Sequence, residues 1–181
     1  METRNGPWII KGTLLKYKNN WIEVSEDQVI RPDGKPGIFG VVKMVPGVAI
    51  LPLDEDGFVY LTREFRYALQ EDSIEAAGGA IDSGEGPLDA AKRELEEELG
   101  FQAGEWTYLG LVNPFTSVIH SPSHLFLARK LEMTKTHHEG TEVITPLKMK
   151  FDEALHLVLE SKITQGATSV LILKAKEFLK K

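Results

Sequence analysis

From Gly79 to Phe101 the chain reads GAIDSGEGPLDAAKRELEEELGF, a glycine-rich acidic loop that has to become a helix at one defined point and end it at another. Pro87 suits a first helical position, where its missing N–H would be unpaired anyway, and Gly100 suits the left-handed residue that closes a helix. A helix running from Pro87 to about Leu99 is predicted. At about 100° per residue, Glu94, Glu97 and Glu98 fall within roughly a 100° arc, while Leu88, Leu95 and Leu99 gather on a different face. One face packs and another is anionic. Like charges three or four residues apart cost only about 0.2–0.5 kcal/mol per pair on an open surface, so a solvated face would account for the acids. The sharper alternative is a site for a hard divalent cation, Mg²⁺ or Mn²⁺, with Glu85 and a loop carbonyl near the helix start.

The segments on either side read as strands. WIIKGTLLKYK and NWIEVSEDQVI are separated by the polar turn Lys18-Asn19-Asn20, and RPDGKPG marks a loop. GVAILPL and GFVYLTREF, joined by Asp54-Glu55-Asp56, are expected to pair as a hairpin. WTYLGLV, HLFLARKL and EVITPLKMKF read as further strands. Asp152 is expected to cap a helix reaching Ser161, and 167–179 is apolar at helical spacing. The expected fold is an α/β sandwich on a mixed sheet (46–181), with the strands of 1–45 as an antiparallel annex.

Composition narrows the chemistry. With no cysteine, thiolate zinc sites, disulfides and cysteine nucleophiles are excluded, and the chain fits a reducing cytoplasm. A net charge of −6 gives no general attraction to a nucleic-acid backbone or an anionic membrane. The start METRNGPW lacks the basic stretch and apolar run of a secretory signal. An anionic ligand would need local cations, from basic side chains or bound metal.

The 79–101 segment resembles the Nudix box: a glycine, five residues, glutamate, seven residues, then Arg-Glu-apolar-any-Glu-Glu-any-Gly-apolar. Each fixed position is met, by Gly79, Glu85, Arg93, Glu94, Leu95, Glu97, Glu98, Gly100 and Phe101. The resemblance implies a Nudix-type α/β/α sandwich and a Mg²⁺-dependent hydrolase. Glu94 and Glu98, one turn apart, would bind metal directly, with Glu97 joining as more ions arrive and the Gly78 carbonyl as a further ligand; Glu94 counts with the catalytic group. Arg93 is expected to pair with a box carboxylate such as Glu85 rather than touch substrate.

Outside the box the chain resembles the ADP-ribose or ADP-sugar pyrophosphatase branch over nearly its whole length. REFRYAL resembles that branch's arginine-bearing strand end, which makes Arg66 the phosphate-contact candidate. Trp21, Phe65 or Tyr67 would stack on the base. The water-activating glutamate of the branch lies on a late loop, here HHEGTEVI, so Glu142 aligns best and Glu139 is its near alternative. Pro114 stands near a proline of the branch, yet NPFTSVIHSPSH replaces a loop that normally carries an acid, and Ser117, His120 and His124 are left outside the catalytic set. The resemblance also implies a homodimer whose N-terminal strands complete the partner's site. The expected substrate is a small nucleotide compound, ADP-ribose or another ADP-sugar, with no nucleic acid and no membrane. GDP-mannose or another nucleotide-linked substrate, and a non-catalytic ADP-ribose sensor, are the alternatives.

Overall fold

The computed structural model describes residues 2–134 and 143–180. It divides into two compact units, 1–45 with 113–121, and 46–112 with 122–181. The break after Val45 coincides with the edge of the expected annex. The first unit, however, also takes in 113–121, which the sequence reading gave to the second, because Ile119–His120 pairs in parallel with Val42 and Lys43.

In the first unit β1 (Thr3–Asn5), β2 (Trp8–Lys18), β3 (Ile22–Ile30) and β4 (Pro36–Met44) form an antiparallel meander, and β9 (Ile119–His120) adds the parallel edge. Asn19 closes the β2–β3 turn by accepting from the N–H groups of Trp21 and Ile22. Trp8 meets Phe39 edge-on at 5.4 Å.

The second unit has two three-stranded sheets. One runs in the order β5 (Gly47–Pro52), β10 (Ser123–Met133), β8 (Phe101–Val112); the other runs β11 (Thr145–Lys150), β6 (Phe58–Arg66), β7 (Glu71–Glu75). Among the described residues three helices cover them, α1 (Pro87–Leu99), α2 (Phe151–Leu159) and α3 (Gly166–Leu179). The alternation of side chains along β5 and β10 shows why these strands are apolar throughout. Val48, Ile50, Phe126 and Ala128 join Ala90, Ala91, Leu95 and Leu99 of α1 in one cluster. Ala49, Leu51, Leu125 and Leu127 join Leu171, Ile172 and Ala175 of α3 in the other. A strand buried on both faces reads as a continuous hydrophobic run, and the second unit is therefore an α/β/α sandwich.

Three local expectations are corrected. β5 and β6 do not form a hairpin: β5 pairs in parallel with β10, and β6 pairs with β11 and β7. The turn does form, with Asp54 accepting from Phe58 and Gly57 donating to the Asp54 carbonyl, but among the described residues the two strands share one isolated bridge, Leu53↔Val59. Tight turns specify a reversal, and tertiary burial decided which neighbour each strand took. Asp152 does not cap α2, which starts at Phe151 and ends at Leu159; it lies inside the first turn and pairs with Lys176 of α3. Leu88 is 38% exposed, and the buried face of α1 is built instead from Ala90, Ala91, Leu95 and Leu99, whose two alanines allow close approach to the sheet.

Candidate active site

The box loop is held by backbone geometry before any charge is counted. The carbonyls of Ala77 and Gly79 accept from Ile50 and Val48 of β5, so the loop runs on as an irregular extra strand at the sheet edge. A side chain at Gly78 would collide with the Val48 carbonyl oxygen, and one at Gly79 would collide with the Glu94 carboxylate. Gly78 therefore needs glycine for close backbone approach, while a side chain at Gly79 would have to push the Glu94 carboxylate aside. Asp82 and Glu85 then close a turn reciprocally, and α1 follows with Pro87 in its first turn and a left-handed Gly100 (φ 65°) at its end.

Arg93 ties the site together. Its guanidinium donates to both Glu85 oxygens at 3.1 and 3.0 Å, to Glu94 at 2.8 Å, to Glu97 at 3.0 Å and to the Ala80 carbonyl at 3.0 Å. The hydrogen bond from Arg93 holds the Glu85 carboxyl below its ordinary value, and the same bonds, Glu85 foremost, raise the arginine. Glu98 is buried and accepts from the Gly78 N–H at 3.1 Å. A solvated acidic face would leave these carboxylates in water; here Glu98 is 9% exposed and Glu94 packs against Gly79.

Four carboxylates, Glu85, Glu94, Glu97 and Glu98, against one arginine leave a surplus of three negative charges at a part-buried loop–helix junction. Hard oxygen donors with surplus negative charge suit a divalent cation such as magnesium. Among the described residues no three acidic or histidine side chains already converge into a cage; Glu94 and Glu97 are held by Arg93 and Glu98 by the Gly78 N–H. Glu94, Glu97, Glu98 and the Gly78 carbonyl are groups whose oxygens could hold such an ion.

Arg66 ends β6 and lines a cavity of about 180 Å³ with Gly78, Gly79, Ser123, Gln165 and Thr168. It pairs side-on with Glu75 at 3.0 and 2.7 Å and with Glu64 at 2.7 Å, and these bonds raise its pKa, with Glu98 adding to the field. The sequence reading missed Glu75 and Glu64. Glu75 had a signal, a lone acid inside SIEAAGGAI, where burial demands a partner. Phe65 and Tyr67 are exposed near that strand end. Trp21 is exposed in the first unit. His124 shares a 3.1 Å contact with the Tyr108 hydroxyl, whereas Ser117 and His120 line a cavity of about 470 Å³ in the first unit with Asn5, Phe39 and Asn113. Glu139 and Glu142 lie outside the described residues.

The acids on the second half of α1, packed against the glycine loop, and the arginine-lined cavity bounded by Gly78 and Gly79 suit an anionic ligand and a divalent cation, on an α/β/α sandwich. Residues 43–167 match the NUDIX domain and 15–42 match the Nucleoside diphosphate sugar hydrolase N-terminal domain. The chain belongs to the NUDIX domain family and is a Nudix hydrolase. It is 28% identical over 167 residues to an ADP-ribose pyrophosphatase of Bacillus subtilis, covering 90% of each chain. It is 27% identical over 167 residues to a CMP-5'-(N-acetyl-N-hydroxy-3-aminopropyl)phosphonate hydrolase of Streptomyces rubellomurinus, covering 92% of this chain and 81% of that one. A crystal structure of an ADP compounds hydrolase shares the fold, with a TM-score of 0.81 over 94% of this chain and 93% of that one at 21% identity.

Proposed function

We propose that the chain hydrolyses the diphosphate linkage of an ADP-sugar, ADP-ribose foremost, giving AMP and a sugar phosphate. The observation that carries this reading is the box itself, its acids braced by Arg93 at a glycine loop beside Arg66. The likeness to an ADP-ribose pyrophosphatase over nine-tenths of both chains supports the choice of substrate.

In this reading Arg66 binds a diphosphate oxygen, and its planar donors suit that oxygen geometry. Glu94, Glu97, Glu98 and the Gly78 carbonyl would hold Mg²⁺, for which Mn²⁺ could substitute; when bound, the ion would supply positive charge to neutralise the diphosphate and make water more acidic. Arg93 and Glu85 keep the loop on the helix and take no part in proton transfer. A glutamate of the late loop, Glu142 by alignment or Glu139, takes the proton of the attacking water. Water adds to one phosphorus, the bridging P–O bond breaks, and each product leaves with one phosphate. Trp21 or Phe65 stacks on the base.

The first unit supports assembly. Leu14, Leu15, Tyr17 and Ile38 are exposed on its sheet and Trp21 at the β2–β3 turn, which suits a homodimer that covers them and shares its N-terminal strands. A monomer by light scattering at working concentration overturns that part. No described helix is long and apolar enough to cross a membrane.

The test is release of AMP from ADP-ribose, ADP-glucose, NADH and diadenosine polyphosphates, and of GMP from GDP-mannose, with Mg²⁺, Mn²⁺ or EDTA. Turnover of an ADP-sugar that disappears with EDTA is expected. Preference for GDP-mannose moves the substrate assignment, and binding of ADP-ribose without metal-dependent turnover would make the chain a sensor.

A further inference from the structure

Two carboxylates share the guanidinium of Arg66, and they hold it unequally. Glu75 takes Nε and Nη2 together, at 3.0 and 2.7 Å, and is buried. Glu64 makes one ion pair, to Nη1 at 2.7 Å, and its side chain is 22% exposed against 11% for Glu75.

The register of the β6–β7 hairpin explains how this arises. Arg66 stands opposite Glu71, Glu64 opposite Ser73, and Thr62 opposite Glu75. All six residues share one face, because side chains alternate along each strand. Arg66 does not simply meet the acid across from it. Its side chain leans back along the strand, past the small buried Ser73, and closes on Glu75 four residues up the hairpin. The charged head is thereby brought to the cavity lined by Gly78, Gly79, Gln165 and Thr168, within the field of Glu98. A longer residue at position 73 would occupy the path.

We propose that Glu75 is a positioning residue that aims Arg66 at the diphosphate, and that Glu64 is a place-holder which an anionic oxygen of the substrate displaces. The inference rests on the phosphate contact assigned to Arg66 above. A guanidinium has five N–H donors. Glu75 takes two and Glu64 one, so an arriving oxygen finds the remainder and the one that Glu64 gives up. Displacing Glu64 costs less than displacing Glu75, because Glu64 gives up one bond and is the more exposed of the two, whereas displacing Glu75 would break two bonds and leave a buried charge unpaired. The two glutamates on one arginine therefore have opposite effects on ligand affinity.

The experiment compares wild type with Glu75→Gln, Glu75→Asp and Glu64→Gln in two readouts: KM and kcat for ADP-ribose with Mg²⁺, and calorimetric binding of inorganic pyrophosphate with Mg²⁺. Melting curves accompany each variant. Glu75→Gln is expected to raise KM and the pyrophosphate Kd roughly tenfold, with a smaller change in kcat and partial recovery in Glu75→Asp. Glu64→Gln is expected to lower both by roughly two- to fivefold. Weakening by both substitutions, or no change with either, overturns the division of roles. Should Glu75→Gln fail to fold, the sign of the Glu64→Gln effect decides it. Wild type that binds pyrophosphate without hydrolysing any nucleotide compound removes the proposed function and leaves the opposite-sign test standing. Wild type that binds no pyrophosphate overturns the inference itself.

Discussion

Leu95 on α1 is fully buried, whereas Leu15 on β2 is 60% exposed, although each lies inside a regular element of similar length. Around Leu95 the apolar residues of α1, β5 and β10 close on one another, and the acids of the same helix are braced by Arg93 and the Gly78 N–H. Around Leu15 the strand stays open, with Leu14 and Tyr17 also exposed. The contrast separates two uses of apolar surface. In the second unit it packs beneath a charged site, and in the first it stays exposed, as the proposed homodimer requires.

Truncating each leucine tests that separation most forcefully. Leu95→Ala is expected to cost about 2–5 kcal/mol in chemical denaturation, since it empties a closed site. Leu15→Ala is expected to change the unfolding of the isolated chain by less than about 0.5 kcal/mol and to weaken dimerisation instead. Equal losses in both would show that the first unit's surface is already covered in the free chain.

The acids come next. Glu98→Gln keeps the shape of the side chain and removes its charge, and turnover of ADP-ribose is expected to fall by at least about a hundredfold, some 2.7 kcal/mol, with the melting temperature little changed. A fall in stability without one in rate would make Glu98 a structural acid. Gly79→Ala sharpens the point, because the added methyl meets the Glu94 carboxylate. A rate loss of roughly tenfold or more is expected, with circular dichroism unchanged. Full activity would show that Glu94 can move without cost.

The smallest effect separates bracing from catalysis. Arg93 holds the folded pKa of Glu85 below its unfolded value of about 4.3. A depressed carboxylate stabilises the fold fully above the unfolded pKa, and the contribution is lost as pH falls through the folded one. Glu85→Gln is therefore expected to lower the melting temperature at about pH 7, with the deficit shrinking as the pH falls through the folded pKa of Glu85. A deficit that stays the same size as the pH falls would assign the loss to packing.

The extent to which the site was legible follows from the range of the interactions involved. Pro87, Gly100 and the spacing of the glutamates specify α1 within a dozen residues, and the pairing of Arg93 with Glu85 spans one loop. Arg66 stood out as a cation before an acidic loop, yet its partners did not, because Glu75 becomes its neighbour through the register of a hairpin. Ser123, Gln165 and Thr168 reach the same cavity from elements far along the chain, and nothing in their local sequence marks them.

By itself the sequence determined the box loop, the helix with its two ends, the anionic face and the family, since these depend on backbone preferences and short spacings. Tertiary structure alone decided that β5 pairs with β10 instead of β6, that 113–121 joins the first unit, and that Glu75 holds Arg66. The physical reason is that a strand with two apolar faces, or a charge at a strand end, accepts several partners of equal local merit, and the choice falls to whichever arrangement buries the most surface with every buried charge paired.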